Sequence, residues 1–202
     1  MKKKRTQPRQ PINFEIYQFL MKQKRAKHSS LYVFHRNRIV ITILFCTGLR
    51  VNELRTITWK MLKQSLKTQY LEVYQSKTDC YRKVILSPKA ISLLCSLQKE
   101  YTKFFQDRQK WCLGYTSKGS MVDEHIWLKC INNFIKPAAN HFNVKLSSHS
   151  FRINYITNLL KVMKIERVQQ IIGHKSVNTT AKYDRYQPKH EEISQIFDEV
   201  MW

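Results

Sequence analysis

Apolar residues recur at helical intervals along most of this chain and take on strand character only near its middle. Phe14, Tyr17, Phe19 and Leu20 predict a short helix, followed by a basic loop from Lys22 to Ser30. A packed domain is expected from Arg36, where Ile39, Val40, Ile43 and Leu44 mark a helix that Gly48 ends as a C-cap. Val51 to Thr56 reads as a short second helix. Leu71 to Tyr74 and Val84 to Leu86 read as two strands around a polar turn, Gln75 to Arg82. Ser87-Pro88 starts a helix that reaches about Phe105, with Ser as N-cap and Pro in the first turn. Asp123 can cap another, whose buried stripe is Ile131, Phe134, Ile135 and Ala138. Ile156, Leu159, Leu160 and Met163 do the same for the helix carrying Arg152. Val168, Ile171 and Ile172 line a shorter helix stopped by Gly173, another begins near Ser176, and a last one runs from Glu191 to Met201. The predicted fold class is mainly α with one small antiparallel β-sheet, an α+β arrangement.

Charge narrows the partners. The chain of 202 residues carries 36 Lys+Arg against 14 Asp+Glu, a formal charge of +22 that draws polyanions to its surface. Aromatic residues at 12% among these basic ones suit a nucleic-acid surface, with an anionic membrane surface as the alternative. The longest apolar run, Ile39 to Cys46, is too short to span a bilayer, and no secretory signal follows the basic start. Five cysteines, at 46, 80, 95, 112 and 130, form no Cys-x-x-Cys pair, so the expectation is a reduced intracellular protein without structural zinc. The bias toward Lys, Ile, Asn, Phe and Tyr fits an AT-rich coding source such as an organelle or a mobile element.

A set of polar residues in a fixed order carries the chemistry. Arg50 lies in Thr47-Gly48-Leu49-Arg50-Val51-Asn52-Glu53-Leu54, and His149 and Arg152 lie in His149-Ser150-Phe151-Arg152. His174 follows Gly173, and Tyr183 comes nine residues later. A guanidinium pairs its planar fork with phosphate oxygens and does not lose its proton, so Arg50 and Arg152, from different helices, could clamp a phosphoryl transition state. His149 and Arg152 share a helix face at a spacing of three, and Glu53 has the same relation to Arg50, which it could orient by a salt bridge. A phenol, once flanked by a base and a positive pocket, can attack phosphorus.

This order of motifs resembles the tyrosine recombinases, the phage integrase family, from about Arg36 to the C-terminus. The resemblance implies a tyrosine recombinase catalytic domain and a site-specific recombinase or integrase that cleaves and rejoins DNA strands without metal or other cofactor. Tyr183 would be the nucleophile, forming a 3′-phosphotyrosyl link. His149 would assist proton transfer, and His174 would hydrogen-bond the phosphate. Lys77, in Ser76-Lys77-Thr78 between the two strands, would be the general acid, with Arg82 and Lys83 as rivals. Tyr186, one turn after Tyr183, reads as a packing or DNA-contacting aromatic. Double-stranded DNA, a homotetramer on that DNA and accessory DNA-bending proteins are the implied partners, and the implied location is intracellular and nucleoid-associated, in the bacterial cytoplasm or an organelle such as a chloroplast.

The layout departs from most of the family. Residues 1–35 read as a basic arm with a short helix and residues 36–202 as the catalytic domain, with no full core-binding domain ahead of it. The fimbrial phase-variation recombinases share that layout. The acidic segment Glu191 to Trp202, with Ile193, Ile196, Phe197 and Val200 as an apolar stripe, resembles the family segment that docks into a neighbouring protomer. Three other readings are weighed: a catalytically silent DNA-binding remnant of a mobile element, a topoisomerase IB-like nicking and resealing activity, and a basic ribosomal or RNA-binding protein, which explains the charge but not the ordered motifs.

Overall fold

A computed structural model describes residues 8–27, 29–75 and 80–184. Met1 to Gln7, Lys77, Tyr186 and the segment Glu191 to Trp202 lie outside the described residues. The chain forms two units, 1–155 and 156–202, and each is described by itself.

The first unit is built on a buried helix. After α1 (Phe14–Lys22), α2 (Leu31–Thr47) places Ile39, Val40, Ile41, Ile43 and Leu44 at 0% exposure. A helix that is apolar all round must be covered all round. The helix starts five residues before Arg36, where sequence periodicity first becomes apolar. α1 covers it from one side, its N-terminus capped by Asn13 Oδ1 on the Ile16 amide at 2.9 Å, with Ile16, Tyr17 and Leu20 in the same core. Tyr17 stacks on Phe45 and shares a hydrogen bond with Thr42 at 3.0 Å.

A 3-10 turn, Val51–Leu54, replaces the expected second helix. Next comes α3 (Trp59–Thr68), which the periodicity does not reveal because Lys and Gln dilute its buried positions Trp59 and Leu62. Its cap is readable: Thr58 accepts the Met61 amide at 3.2 Å. β1 (Tyr70–Gln75) and β2 (Cys80–Ile85) pair antiparallel with Tyr70 opposite Ile85 and Val73 opposite Arg82. Both strands are longer than expected, so Arg82 sits in a strand rather than in the turn.

The single helix expected behind Ser87 is two, α4 (Pro88–Cys95) and α5 (Gln98–Phe105). The break lets the Tyr101 hydroxyl donate to the Leu94 carbonyl at 2.8 Å while Phe104 and Phe105 reach the core. The Arg38–Glu100 ion pair, at 2.7 Å, ties α2 to α5. Asp123 caps α6 (Glu124–His141), which buries Trp127, Ile131, Ile135 and Ala138. α7 (His149–Leu160) follows, and its first turn is held by the N-terminal segment: the Ile12 amide donates to Ser150 C=O at 3.2 Å, and the Gln10 amide to Lys145 C=O at 3.0 Å.

The second unit contains the end of α7, then α8 (Ile165–Ile172) and α9 (Val177–Ala181), with α8 packed on α9. α8 buries Val168 and Ile172, which lie one turn apart. Ile171 is rotated off that face and is 43% exposed, and Met163, beyond the end of α7, is 40% exposed, so neither belongs to the stripe expected of it. No described helix is long and apolar enough to cross a membrane.

Candidate active site

Gly48 organises the first half of the site. It ends α2 at φ 59°, and its amide donates to Leu44 C=O at 2.9 Å. A Cβ at this position would lie 2.6 Å from the Tyr155 ring. Glycine is therefore required twice, once by the left-handed backbone and once by the ring. Its carbonyl accepts Arg152 Nη1 at 2.8 Å, so a guanidinium from α7 is anchored two residues before Arg50. Arg152 is 1% exposed, whereas the side chain of Arg50 is 36% exposed. We expect Gly48→Ala to lower stability by about 1–3 kcal/mol and to slow catalysis with it, checked by thermal melts beside cleavage rates. Wild-type behaviour in both would remove Gly48 from this role.

Arg50 itself stands on extended backbone at the start of the 3-10 turn, not on a helix. Glu53 reaches back from that turn: its Oε2 accepts the Arg50 amide at 2.8 Å, and its Oε1 pairs with Arg50 Nη1 at 3.2 Å. The turn is held from α6 as well. Trp127 donates its indole N–H to Val51 C=O at 2.9 Å, and Glu124 takes both the Asn52 amide group at 2.9 Å and Arg55 at 2.8 Å. Arg82, on β2, also points at Glu53, Nη2 to Oε2 at 3.5 Å. His149, half-buried, opens α7 one turn before Arg152. Ser150 Oγ accepts the Ser147 amide at 3.1 Å and steadies that turn. The first unit thus gathers Arg50, Glu53 and Arg152 around the Gly48–Glu53 turn.

His174 and Tyr183 belong to the second unit. Gly173 ends α8 at φ 69°, and the chain folds back so that the His174 amide donates to Gln169 C=O at 3.1 Å. Gln169 Nε2 returns a bond to His174 C=O at 3.0 Å. The buried imidazole shares a 2.9 Å hydrogen bond between Nδ1 and Thr180 Oγ1, which fixes its rotation. Ser176 caps α9, as expected, but that helix ends at Ala181 and Tyr183 stands in the turn behind it. Its amide donates to Thr180 C=O at 2.9 Å, and its carbonyl accepts Thr157 Oγ1 at 3.2 Å. The rings of His174 and Tyr183 are stacked, with centroids 5.8 Å apart and planes at 25°.

Four of the other tyrosines lie in surroundings that disfavour the phenolate. Burial pushes the phenols of Tyr17, Tyr32, Tyr101 and Tyr155 above their ordinary value. Sequence reasoning missed Thr180, Gln169 and Thr157, for which spacing gives no signal. Among the described residues no group of three or more His, Cys, Asp or Glu could hold a metal ion.

Known proteins resemble this chain in sequence and in fold. The sequence model of the phage integrase family matches residues 2–190. The tyrosine recombinase XerA of Pyrococcus furiosus is 24% identical over 161 residues, 77% of this chain and 52% of that protein. XerH of Helicobacter pylori is 28% identical over 193 residues, 93% of this chain and 51% of its own. The chain spans about half the length of these relatives. Among solved structures, XerA recombinase matches with a TM-score of 0.65 at 22% identity, over 99% of this chain and 66% of the other. The Tn1549 transposon integrase in complex with transposon right end DNA matches with a TM-score of 0.67 at 17% identity, over 98% and 68%. At these identities the likeness establishes the fold.

Proposed function

Because the chain belongs to the phage integrase family, we propose that it is a site-specific recombinase that breaks and rejoins DNA strands through a 3′-phosphotyrosyl intermediate. The observation that carries this reading is the anchoring of Arg152 on the Gly48 carbonyl, two residues from Arg50. Two guanidiniums from segments about a hundred residues apart in sequence are thereby brought to one turn, an arrangement suited to phosphate oxygens.

In the proposed reaction Tyr183 Oη attacks the scissile phosphorus, the P–O5′ bond breaks, and the departing 5′ oxygen takes a proton. Lys77 is proposed as donor of that proton, His149 as an aid to proton transfer at the phenol, and His174 as a hydrogen-bond partner of the phosphate. The arginines stabilise the charge that builds on the non-bridging oxygens. A 5′-hydroxyl then attacks the phosphotyrosine, which restores a phosphodiester and returns the proton to Tyr183. One phosphoester is exchanged for another, so no nucleotide cofactor is required. Each protomer supplies one tyrosine and therefore cuts one strand. Exchange between two duplexes needs four cuts, so we propose a tetramer on DNA, with accessory DNA-bending proteins where the site must be looped.

The test is covalent capture. Incubated in EDTA with a library of nicked suicide duplexes of random core sequence, the protein should yield an adduct that survives SDS. No adduct from any sequence would reject strand cleavage, and an adduct that requires magnesium would reject the metal-free route.

Affinity should rest on the DNA backbone, given the charge of +22. With about 6–10 phosphates engaged, binding should weaken by roughly three to five decades between ~50 and ~200 mM salt. Deleting Met1 to Arg9, which holds Lys2, Lys3, Lys4, Arg5 and Arg9, should flatten the slope by about 0.9 for each phosphate that the arm had neutralised. An unchanged slope would mean that the arm does not touch DNA.

A further inference from the structure

We infer that Arg82 is a positioning residue: it shares the Glu53 carboxylate with Arg50 and so leaves Arg50 with positive charge to offer a phosphate. The inference rests on the strand-cleavage reading above. Its starting point is an irregularity in β2. Val84 and Arg82 alternate onto the same face of the hairpin as the buried Leu71 and Val73, while Tyr81 and Ile85 on the other face are 68% and 66% exposed. An aliphatic side chain would satisfy that inner face. Instead it carries a guanidinium whose side chain is 15% exposed, and burial draws its pKa below the ordinary arginine value against the pull of Glu53.

That buried charge is paired with the carboxylate that also holds Arg50. Glu53, with a side chain 7% exposed, meets Arg50 at its amide (2.8 Å) and Nη1 (3.2 Å), and Arg82 at Nη2 (3.5 Å). Arg82 also faces Arg50, whose like charge works against its own, and Tyr155, whose phenol burial pushes up and Arg82 draws down. A carboxylate bound to one guanidinium cancels it. A carboxylate bound to two leaves one net positive charge, and the exposed member of the trio is Arg50. Arg82 therefore does two things through Glu53: it offsets the pull of the carboxylate on Arg50, and it fixes the carboxylate that holds the Arg50 amide.

The experiment is a double-substitution cycle on the full chain, with single-turnover cleavage of a captured duplex, duplex Kd and Tm as readouts. Arg82→Met keeps the bulk and removes the charge. It should slow cleavage roughly ten-fold or more while Kd changes less than about three-fold. Arg82→Lys should recover most of the rate. In the Glu53→Gln background, Arg82→Met should cost less than about two-fold further, because its route of action is already gone. Wild-type cleavage by Arg82→Met, full multiplication of the two losses, or a loss abolished by assaying well below Tm would each overturn the assignment. Should Arg82→Met not fold, Arg82→Gln carries the same comparison. If the wild-type protein forms no adduct, the strand-cleavage reading falls and this assignment with it; cleavage insensitive to Arg82 removes this one alone.

Discussion

Tyr183→Phe is expected to abolish the covalent protein–DNA adduct while duplex affinity and Tm stay close to wild type. The substitution removes one hydroxyl and nothing else. The stacking of the ring on His174 is retained, and the bonds to Thr180 C=O and from Thr157 Oγ1 are made by its backbone. With binding and folding followed beside it, loss of the adduct would report the nucleophile directly. The chain has ten tyrosines, so the choice must be defended. The hydroxyls of Tyr17, Tyr32 and Tyr101 are committed to Thr42, Tyr115 C=O and Leu94 C=O inside the first unit. Tyr155 packs against Gly48 and is pushed up by burial. Tyr186→Phe should be close to neutral. Adduct formation that survives Tyr183→Phe and vanishes with Tyr186→Phe would move the nucleophile by three residues.

Much of this arrangement is legible in the sequence because it depends on residues with restricted uses. Gly48 and Gly173 both take left-handed backbone, where a side chain is strained, and each ends a helix just before a candidate residue. Glu53 is readable because a spacing of three from Arg50 brings the two side chains together in a helical turn. Asp123, Ser87 and Ser176 are readable as caps from residue type alone. What stays hidden depends on partners distant in sequence or on residues without a pattern. Thr180 lies in a polar run, Asn178-Thr179-Thr180, and nothing there distinguishes the buried threonine that bonds His174 from its exposed neighbour. Arg82 reads as part of a turn because the apolar run begins at Val84, and a guanidinium on the inner face of a strand breaks the alternation by which strands are recognised. The anchoring of Arg152 on Gly48 joins positions 104 residues apart, a separation over which local periodicity carries no information.

Conservative replacement of the two arginines by lysine should lower single-turnover cleavage by roughly two orders of magnitude or more at each position. Charge is preserved in both variants, so the loss would measure geometry. Arg152 donates one amine to the Gly48 carbonyl at 2.8 Å, and its planar fork carries further donors at fixed angles. An ammonium at the end of a flexible chain can satisfy the carbonyl or reach a phosphate oxygen, but it has no rigid fork with which to do both. The burial of Arg152 sharpens the effect, since a charge at low effective dielectric acts more strongly on a nearby developing oxyanion and is costlier to misplace. Arg50→Lys removes the Nη1 bond to Glu53, and with it the definition of the side chain, although the Glu53 bond to the Arg50 amide remains. Stability should therefore fall further in Arg152→Lys than in Arg50→Lys, while the catalytic losses are comparable. Duplex Kd should move little in either variant, because many other basic residues are available to the DNA backbone. A wild-type cleavage rate in one of these variants would remove that arginine from the site. A loss in Arg152→Lys that disappears once the assay temperature is lowered well below its Tm would reduce Arg152 to a brace for the Gly48 turn.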